Sequence, residues 1–298
     1  MEPIIFIDRV TGKEEIEPVY GYKSLSLLYG PTAFGRRLRF FASESPLFSR
    51  LYGLYMKSFL SKKKIASFIQ DYRIDPSEFI LSPEKFRSFN DFFIRHLKIE
   101  CRPIDKAPLI IPADGRYYFF QNIDSAEGFL VKGKKFTLPA LLQDEALADE
   151  YAGGSMVIAR LCPTDYHRFH FPCDCIPGET KLINGYLYSV NPVAVKQNID
   201  IFTQNKRTIT TLSTEHMGNI LFLEIGATNV GSIEQTFSPG KFYRKGEEKG
   251  FFSFGGSALI LLFKPNTIVF SPDLIEKSES GKEIRCLLGQ SMGSIRGI

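Results

Sequence analysis

The stretch Phe251-Phe252-Ser253-Phe254-Gly255-Gly256-Ser257-Ala258-Leu259-Ile260-Leu261-Leu262-Phe263 decides the fold class. Two apolar runs, 251–254 and 258–263, flank a Gly-Gly pair. The second run is strand length, far short of the roughly 20 residues that a membrane-spanning helix needs. The glycines between them leave the backbone accessible and free to strain. Similar short runs recur upstream and downstream: Arg116 to Gln121, Ser155 to Arg160, Lys181 to Val190, Ile220 to Ile225, Val230 to Phe237 and Thr267 to Phe270. Gly, Pro and Asn separate them, which is the pattern of an antiparallel sandwich or barrel.

The texture differs before Arg102-Pro103. Residues 4–20 read as a hairpin, with Arg9 to Gly12 as its turn. From 23 to 100, Leu47, Leu51, Leu54, Tyr55, Ile65, Phe68 and Ile69 recur at helical spacings of three and four. Pro46 and Pro76 stand where helices start, with Asp75 as a cap for the second. Phe89 to Leu97 reads as a further short helix with an aromatic face. The expected fold class is therefore α+β: N-terminal amphipathic helices followed by an antiparallel β-rich sandwich or barrel. The boundary falls near residue 100, giving 1–100 and 101–298.

Of 298 residues, 44% are hydrophobic and 23% charged, which excludes a disordered chain. The N-terminus has no basic head before an apolar stretch, so it does not read as a signal peptide. The five cysteines include no CxxC pair and read as reduced thiols. The net charge of +4 is unevenly spread. Residues 31–64 hold eight basic residues (Arg36, Arg37, Arg39, Arg50, Lys57, Lys62, Lys63, Lys64) against the single acid Glu44. Phe34, Phe40, Phe41, Tyr52, Phe59 and other bulky residues interleave with them. A basic helix with an aromatic face can lie in the headgroup layer of an anionic membrane. The other reading is an ordinary amphipathic helix packed on the β domain. Nucleic acid would be a third partner for such a patch, but no recognition motif accompanies it.

Candidate chemistry gathers in three places. Asp165-Tyr166-His167-Arg168-Phe169-His170 carries two of the four histidines, close to Cys173 and Cys175. Their spacing matches no strong zinc framework, and a hydrogen-bonded core pair is the plain alternative. Asp114, in Pro112-Ala113-Asp114-Gly115, reads first as a turn residue. Ser257 follows the glycine pair. Gly289-Gln290-Ser291-Met292-Gly293 matches a hydrolase pattern, but no histidine follows it, and that elbow needs one.

Together these segments resemble the phosphatidylserine decarboxylase family. The matching pieces are Phe89-Asn90-Asp91-Phe92-Phe93-Ile94-Arg95, Arg102-Pro103, Pro112 to Gly115, Asp165 to His170, Gly226-Ala227-Thr228-Asn229-Val230-Gly231-Ser232-Ile233, Lys245-Gly246-Glu247-Glu248-Lys249-Gly250 and Phe254-Gly255-Gly256-Ser257. The opening hairpin and Tyr20-Gly21 look like the branch with the longer N-terminus. A hydroxyl residue is common after the family's serine; Ala258 stands there instead.

The resemblance implies a self-cleaving proenzyme cut between Gly256 and Ser257 into chains 1–256 and 257–298 that stay associated. It makes Asp114, His170 and Ser257 the cleavage triad, with a serine nucleophile, a base and an orienting carboxylate. It implies a covalent pyruvoyl group made from Ser257, with no metal and no pyridoxal phosphate. That group would form a Schiff base with phosphatidylserine and release CO2 to give phosphatidylethanolamine. His167 would be the general acid beside the substrate carboxylate. The substrate's acyl chains favour the membrane reading of the helices, with Arg36, Arg37, Arg39, Phe40 and Phe41 as docking residues. The chain would then be a peripheral protein on the cytoplasmic face of the cell membrane, without nucleic acid; a homo-oligomer is left open. A Ser-His-Asp lipid esterase with an intact Ser257 is the alternative.

Overall fold

Chain segments that alternate side chains above and below a central sheet build the core. The computed structural model describes residues 3–18, 46–124, 136–196, 198–227, 232–255 and 257–297. Its main sheet runs, in spatial order, β2 (Glu14–Ile16), β1 (Ile5–Asp8), β14 (Glu283–Cys286), β4 (Gly115–Phe120), β5 (Ser155–Leu161), β12 (Ser257–Phe263), β9 (Asn219–Gly226), β8 (Arg207–Ser213) and β7 (Ile176–Ile183). Among its described strands only β1 and β14 pair in parallel. Two small antiparallel sheets accompany it: β10 (Ile233–Gln235), β11 (Glu248–Phe252) and β6 (Arg168–His170); and β13 (Ile268–Phe270), β15 (Ser291–Ile295) and β3 (Leu109–Ile110).

The unbroken apolar run 258–263 is explained by burial on both sides. Leu259, Leu261 and Phe263 join one core with Phe169, Phe252, Phe270 and Met292, so the small sheets cover that face. Helix α8 (Pro272–Glu279) adds Leu274 there. Ala258, Ile260 and Leu262 join a second core. Short helices α4 (Leu138–Leu142), α5 (Glu145–Tyr151), α6 (Pro192–Val195) and α7 (Ile201–Gln204) cover it, through residues such as Leu141, Tyr151, Val195 and Phe202. The α+β class expected from the sequence is the class observed, with helices layered on the sheet as well as preceding it.

The N-terminal helices α1 (Pro46–Lys57), α2 (Lys64–Tyr72) and α3 (Phe89–Phe93) share a third, aromatic core. Phe68, Phe79, Phe86, Phe89 and Phe92 meet edge to face, with Phe68 and Phe89 centroids 5.1 Å apart at 88°. The β region supplies one residue to this cluster, Phe254. As the sequence suggests, Asp75 caps the turn at Pro76, accepting from Ser77 N at 2.9 Å.

Some elements differ from expectation. The hairpin lies with the large sheet, not with the helices, because β1 continues the ladder through β14. The strand expected over 181–190 occupies 176–183 instead. Beyond it Asn205 takes up the main chain, accepting from Tyr188 N and donating to Tyr188 O. The helix expected over 89–97 stops at Phe93. Ser291 begins a strand and not a strand-to-helix elbow. Arg36, Arg37, Arg39, Phe40, Phe41, Tyr20, Gly21 and Gly256 lie outside the described residues.

Candidate active site

The site begins where β5 ends. Asp165 folds the turn after it: Cys162 N donates to Asp165 Oδ2 and Asp165 N to Cys162 O, each at 2.8 Å. Arg116 donates from Nη1 to both carboxylate oxygens, at 2.6 and 2.8 Å. Burial opposes ionisation of Asp165, but Arg116 and the Cys162 amide outweigh it and hold its carboxyl below the usual range. This turn delivers His167, fully buried, with Nδ1 3.0 Å from Asp165 O. Phe93 of α3 lies over the ring at 3.9 Å between centroids.

His170 sits three residues on, at the end of β6. Its backbone N donates to Pro112 O at 2.8 Å, which joins it to the segment carrying Asp114. Its Nδ1 is 2.9 Å from Gly246 O. Gly246 turns with a φ of +83°, a conformation that favours glycine. Four residues later Gly250 lies against β6 where a Cβ would come within 2.2 Å of Glu234 O and 2.7 Å of the Phe169 ring. The spacing of the two glycines in Lys245 to Gly250 therefore serves a turn and a close approach.

A carbonyl oxygen only accepts, so each histidine carries its proton on Nδ1 and its lone pair on Nε2. Both Nε2 atoms are buried without a hydrogen-bond partner among the described residues. Burial pushes the His167 imidazole down to about 3. It also lowers His170, although the Gly246 carbonyl acts the other way. Both rings are neutral bases at pH 7.

Ser257 opens β12 between Leu161 of β5 and Gly226 of β9. It is fully buried, and its Oγ also has no partner among the described residues. Phe252 N donates to His167 O at 3.0 Å, so the chain running into Ser257 is tied to the histidine segment. Asp114, just before β4, lies at the same end of β5 on its other flank. At ~4.8 Å per strand, the two flanks are roughly 10 Å apart. The sheet thus gathers Ser257, His167, His170 and Asp114 at one end.

Asp114 is placed differently from an orienting acid in direct contact. Its carboxylate accepts from Arg102 Nε at 3.0 Å, Arg102 Nη2 at 2.7 Å and Leu288 N at 2.9 Å. Arg102 also holds Glu78 through Nη1 and Nη2. Among the described residues, His170 is oriented by Gly246 O, and Asp114 raises its proton affinity only through space. At the rim Arg168 holds Glu248 at 2.8 and 2.9 Å. Asp165, Arg116, Arg102 and the Gly246 carbonyl are the supports that the sequence reading did not assign. Arg102, Asp165 and Gly246 stand inside segments already notable for their order along the chain; a carbonyl's role has no residue-type signal at all.

Among the described residues no three His, Cys, Asp or Glu side chains converge as a metal site, and no helix is long and apolar enough to cross a membrane.

The sequence model of the family described as phosphatidylserine decarboxylase matches residues 89–294. A phosphatidylserine decarboxylase proenzyme of Chlamydia pneumoniae is 51% identical over 97% of this chain and 96% of its own. The proteins of that name from Chlamydia caviae and Chlamydia felis are 48% and 47% identical, over 98% and 100% of both chains.

Proposed function

The chain belongs to the phosphatidylserine decarboxylase family of carboxy-lyase proenzymes, and we propose that it matures by cutting its own Gly256–Ser257 bond, with Ser257 as nucleophile and His170 as base. The observation that carries this reading is the buried, unpartnered Ser257 Oγ at the same sheet end as a histidine whose Nδ1 proton is committed to Gly246 O, which leaves Nε2 as acceptor. A serine hydroxyl is a weak nucleophile and needs such a base. Ser257 Oγ attacks the Gly256 carbonyl carbon, and the peptide nitrogen leaves as an amine, giving an ester. Loss of the Ser257 α-proton then expels the Gly256 carboxylate by β-elimination. Water converts the resulting dehydroalanine to a pyruvoyl group and ammonia.

A pyruvoyl group at this position supplies an electrophilic ketone for the substrate amine and a sink for the electron pair left by CO2. The fit rests on Ser257, whose buried Oγ is otherwise unsatisfied. His167 is the general acid in this proposal. In the uncut chain it is neutral, with Nε2 open. A substrate carboxylate set against Nε2 favours the imidazolium; when CO2 leaves as a neutral molecule the electron pair stays on the substrate, the carboxylate beside Nε2 is gone, and the proton affinity of the ring falls again. The proton is then driven onto the substrate α-carbon. Asp114, locked by Arg102, acts on His170 as a fixed negative charge.

Phosphatidylserine keeps its acyl chains in the bilayer, so we place the chain peripherally on the cytoplasmic face of the membrane. The described part of the basic, aromatic region supports a dock: Phe59 and Leu60 are 75% and 67% exposed beside Lys57 and Lys63. Tyr52, on the same helix as Lys57, reaches the Phe254 ring near the site at 6.0 Å. The lipid-esterase alternative has no support from the family.

The test is a denaturing gel with mass analysis of the purified full chain. Two chains, of 256 and 42 residues, are expected, the smaller blocked to N-terminal sequencing and reactive to hydroxylamine. A single intact chain that decarboxylates phosphatidylserine overturns the proposal.

A further inference from the structure

Self-cleavage asks a Gly-Gly pair, the freest dipeptide a chain can hold, to present one carbonyl in one orientation. Holding such a pair costs conformational entropy, and fixing both of its ends supplies part of that cost in advance. The downstream end is fixed by β12, where Ser257 is paired on both sides. On the upstream side, Ser253 N donates to Ser232 O at 3.0 Å. The next amide, Phe254 N, goes instead to a side chain from another part of the molecule: Asn90 Oδ1, at 2.9 Å and buried.

Asn90 is itself well placed to hold. It lies in α3, whose first turn is capped by Ser88 Oγ accepting from Asp91 N at 3.1 Å. Neighbours on the same helix grip the ring of the residue that Asn90 holds. Phe89 and Phe93 meet Phe254 edge to face, with centroids 5.2 and 5.0 Å away. Phe93 also covers His167. One short helix thus fixes both the peptide before the glycines and the ring of a site histidine. Burying an amide side chain in an aromatic cluster is costly unless its polar atoms are used, and Asn90 spends its oxygen on this one amide.

We infer that Asn90 is a positioning residue for self-cleavage. Its amide oxygen fixes the Phe254 peptide, two residues before the scissile carbonyl, so that the Gly256 carbonyl carbon is presented to Ser257 Oγ. In the step it serves, the Oγ–C bond forms and the C–N bond breaks. The hydroxyl proton passes through His170 to the departing nitrogen. The inference rests on the self-cleavage reading above.

The experiment follows cleavage of the full chain after synthesis in the wild type, Asn90→Leu and Asn90→Asp. Leucine keeps the size and removes the acceptor; aspartate keeps an acceptor oxygen in place. Losing one buried hydrogen bond should slow Asn90→Leu by about 10- to 100-fold. Asn90→Asp should cleave close to the wild-type rate. Hydroxylamine, which splits the ester once formed, should not restore Asn90→Leu, because ester formation is the step lost. Asn90→Leu cleaving at the wild-type rate, Asn90→Asp as slow as Asn90→Leu, or recovery with hydroxylamine would each overturn the inference. Should Asn90→Leu fail to fold, the aspartate variant decides it, together with amide exchange in the uncut Ser257→Ala chain. There the Phe254 amide should be strongly protected, and exchange at the open-chain rate counts against the role. A wild-type chain that stays whole would instead sink the self-cleavage reading itself.

Discussion

The two histidines differ by three positions and share a tautomer, yet the chemistry asks different things of them. In the proposed self-cleavage His170 must be neutral when Ser257 attacks. Its proton affinity is lowered by burial from an ordinary value of 6.5. The rate of self-cleavage should therefore hold as the pH falls past 6.5 and halve only below it; a half-fall above 6.5 would contradict the buried environment. His170→Ala and Ser257→Ala should stay uncut. His167→Gln should still be cut but lose decarboxylation, read by CO2 release from phosphatidylserine vesicles. If His167→Gln is also uncut, the division of labour is wrong. Gly250 offers a purely steric check. A Cβ there would meet Glu234 O at 2.2 Å and the Phe169 ring, so Gly250→Ala should destabilise the uncut chain by about 2 kcal/mol or more. Sequence order made these residues legible: Asp114, the histidines and Ser257 stand in recognisable segments. What bonds to them was not legible, because Gly246 acts through a carbonyl, and the carboxylate of Asp114 is taken by Arg102.

At the scale of elements, the N-terminal hairpin is more than an ornament on the sheet edge. Glu17, just after β2, accepts from Arg160 at 2.7 and 3.1 Å and lies 3.5 Å from Arg116. Arg116 in turn holds Asp165, and Asp165 O holds His167. All four charged side chains are buried. Removing one member leaves buried charge short of its partner, which costs about 3 kcal/mol or more. Glu17→Gln should lower the denaturation midpoint of the Ser257→Ala chain accordingly, and an unchanged midpoint would show the hairpin to be dispensable. The sequence displayed the hairpin but not its destination. Its strands are short and weakly patterned, whereas its anchoring depends on a parallel pairing with β14, where Phe6 lies opposite Glu283 at the far end of the sequence. The strands with unbroken apolar runs were the legible ones. Those such as β6, β8 and β14 mix charge with apolar residues because their long side chains serve ion pairs or carbonyl clusters, as Arg207 does with Leu141 O, Thr203 O and Asn205 O.

For the whole molecule, burial of ionisable groups sets the pH range of stability. Folded, His167 takes up a proton only near pH 3; unfolded, it does so near 6.5. Between these values the unfolded chain binds more protons, so stability falls as the pH drops below 6.5, by about 1.4 kcal/mol per unit for this group. His170 acts in the same direction. Asp165, Glu17 and Asp8, held below their ordinary range, keep their contribution until the pH falls below about 4. Melting of the Ser257→Ala chain should therefore worsen between pH 6.5 and 4.5, and less steeply once His167→Gln is added. A flat profile over that range would refute the assignment. Just after α1, Phe59→Asp with Leu60→Asp should weaken sedimentation with phosphatidylserine vesicles several-fold while leaving self-cleavage intact; unchanged sedimentation would move the dock elsewhere.

Ser257 heads the strand lodged between β5 and β9, and that position gives the molecule a history. Before the proposed cut, one continuous thread delivers residues 257–263 to the middle of the sheet during folding. Afterwards nothing carries them there. A processed molecule that comes apart has lost the route by which it was assembled, and its working life is governed by how slowly it opens and not by an equilibrium it can return to. Dilution from denaturant should restore the Ser257→Ala chain and leave the processed pair inactive and aggregated; full recovery of the processed pair would mean that the central strand can find its slot unaided.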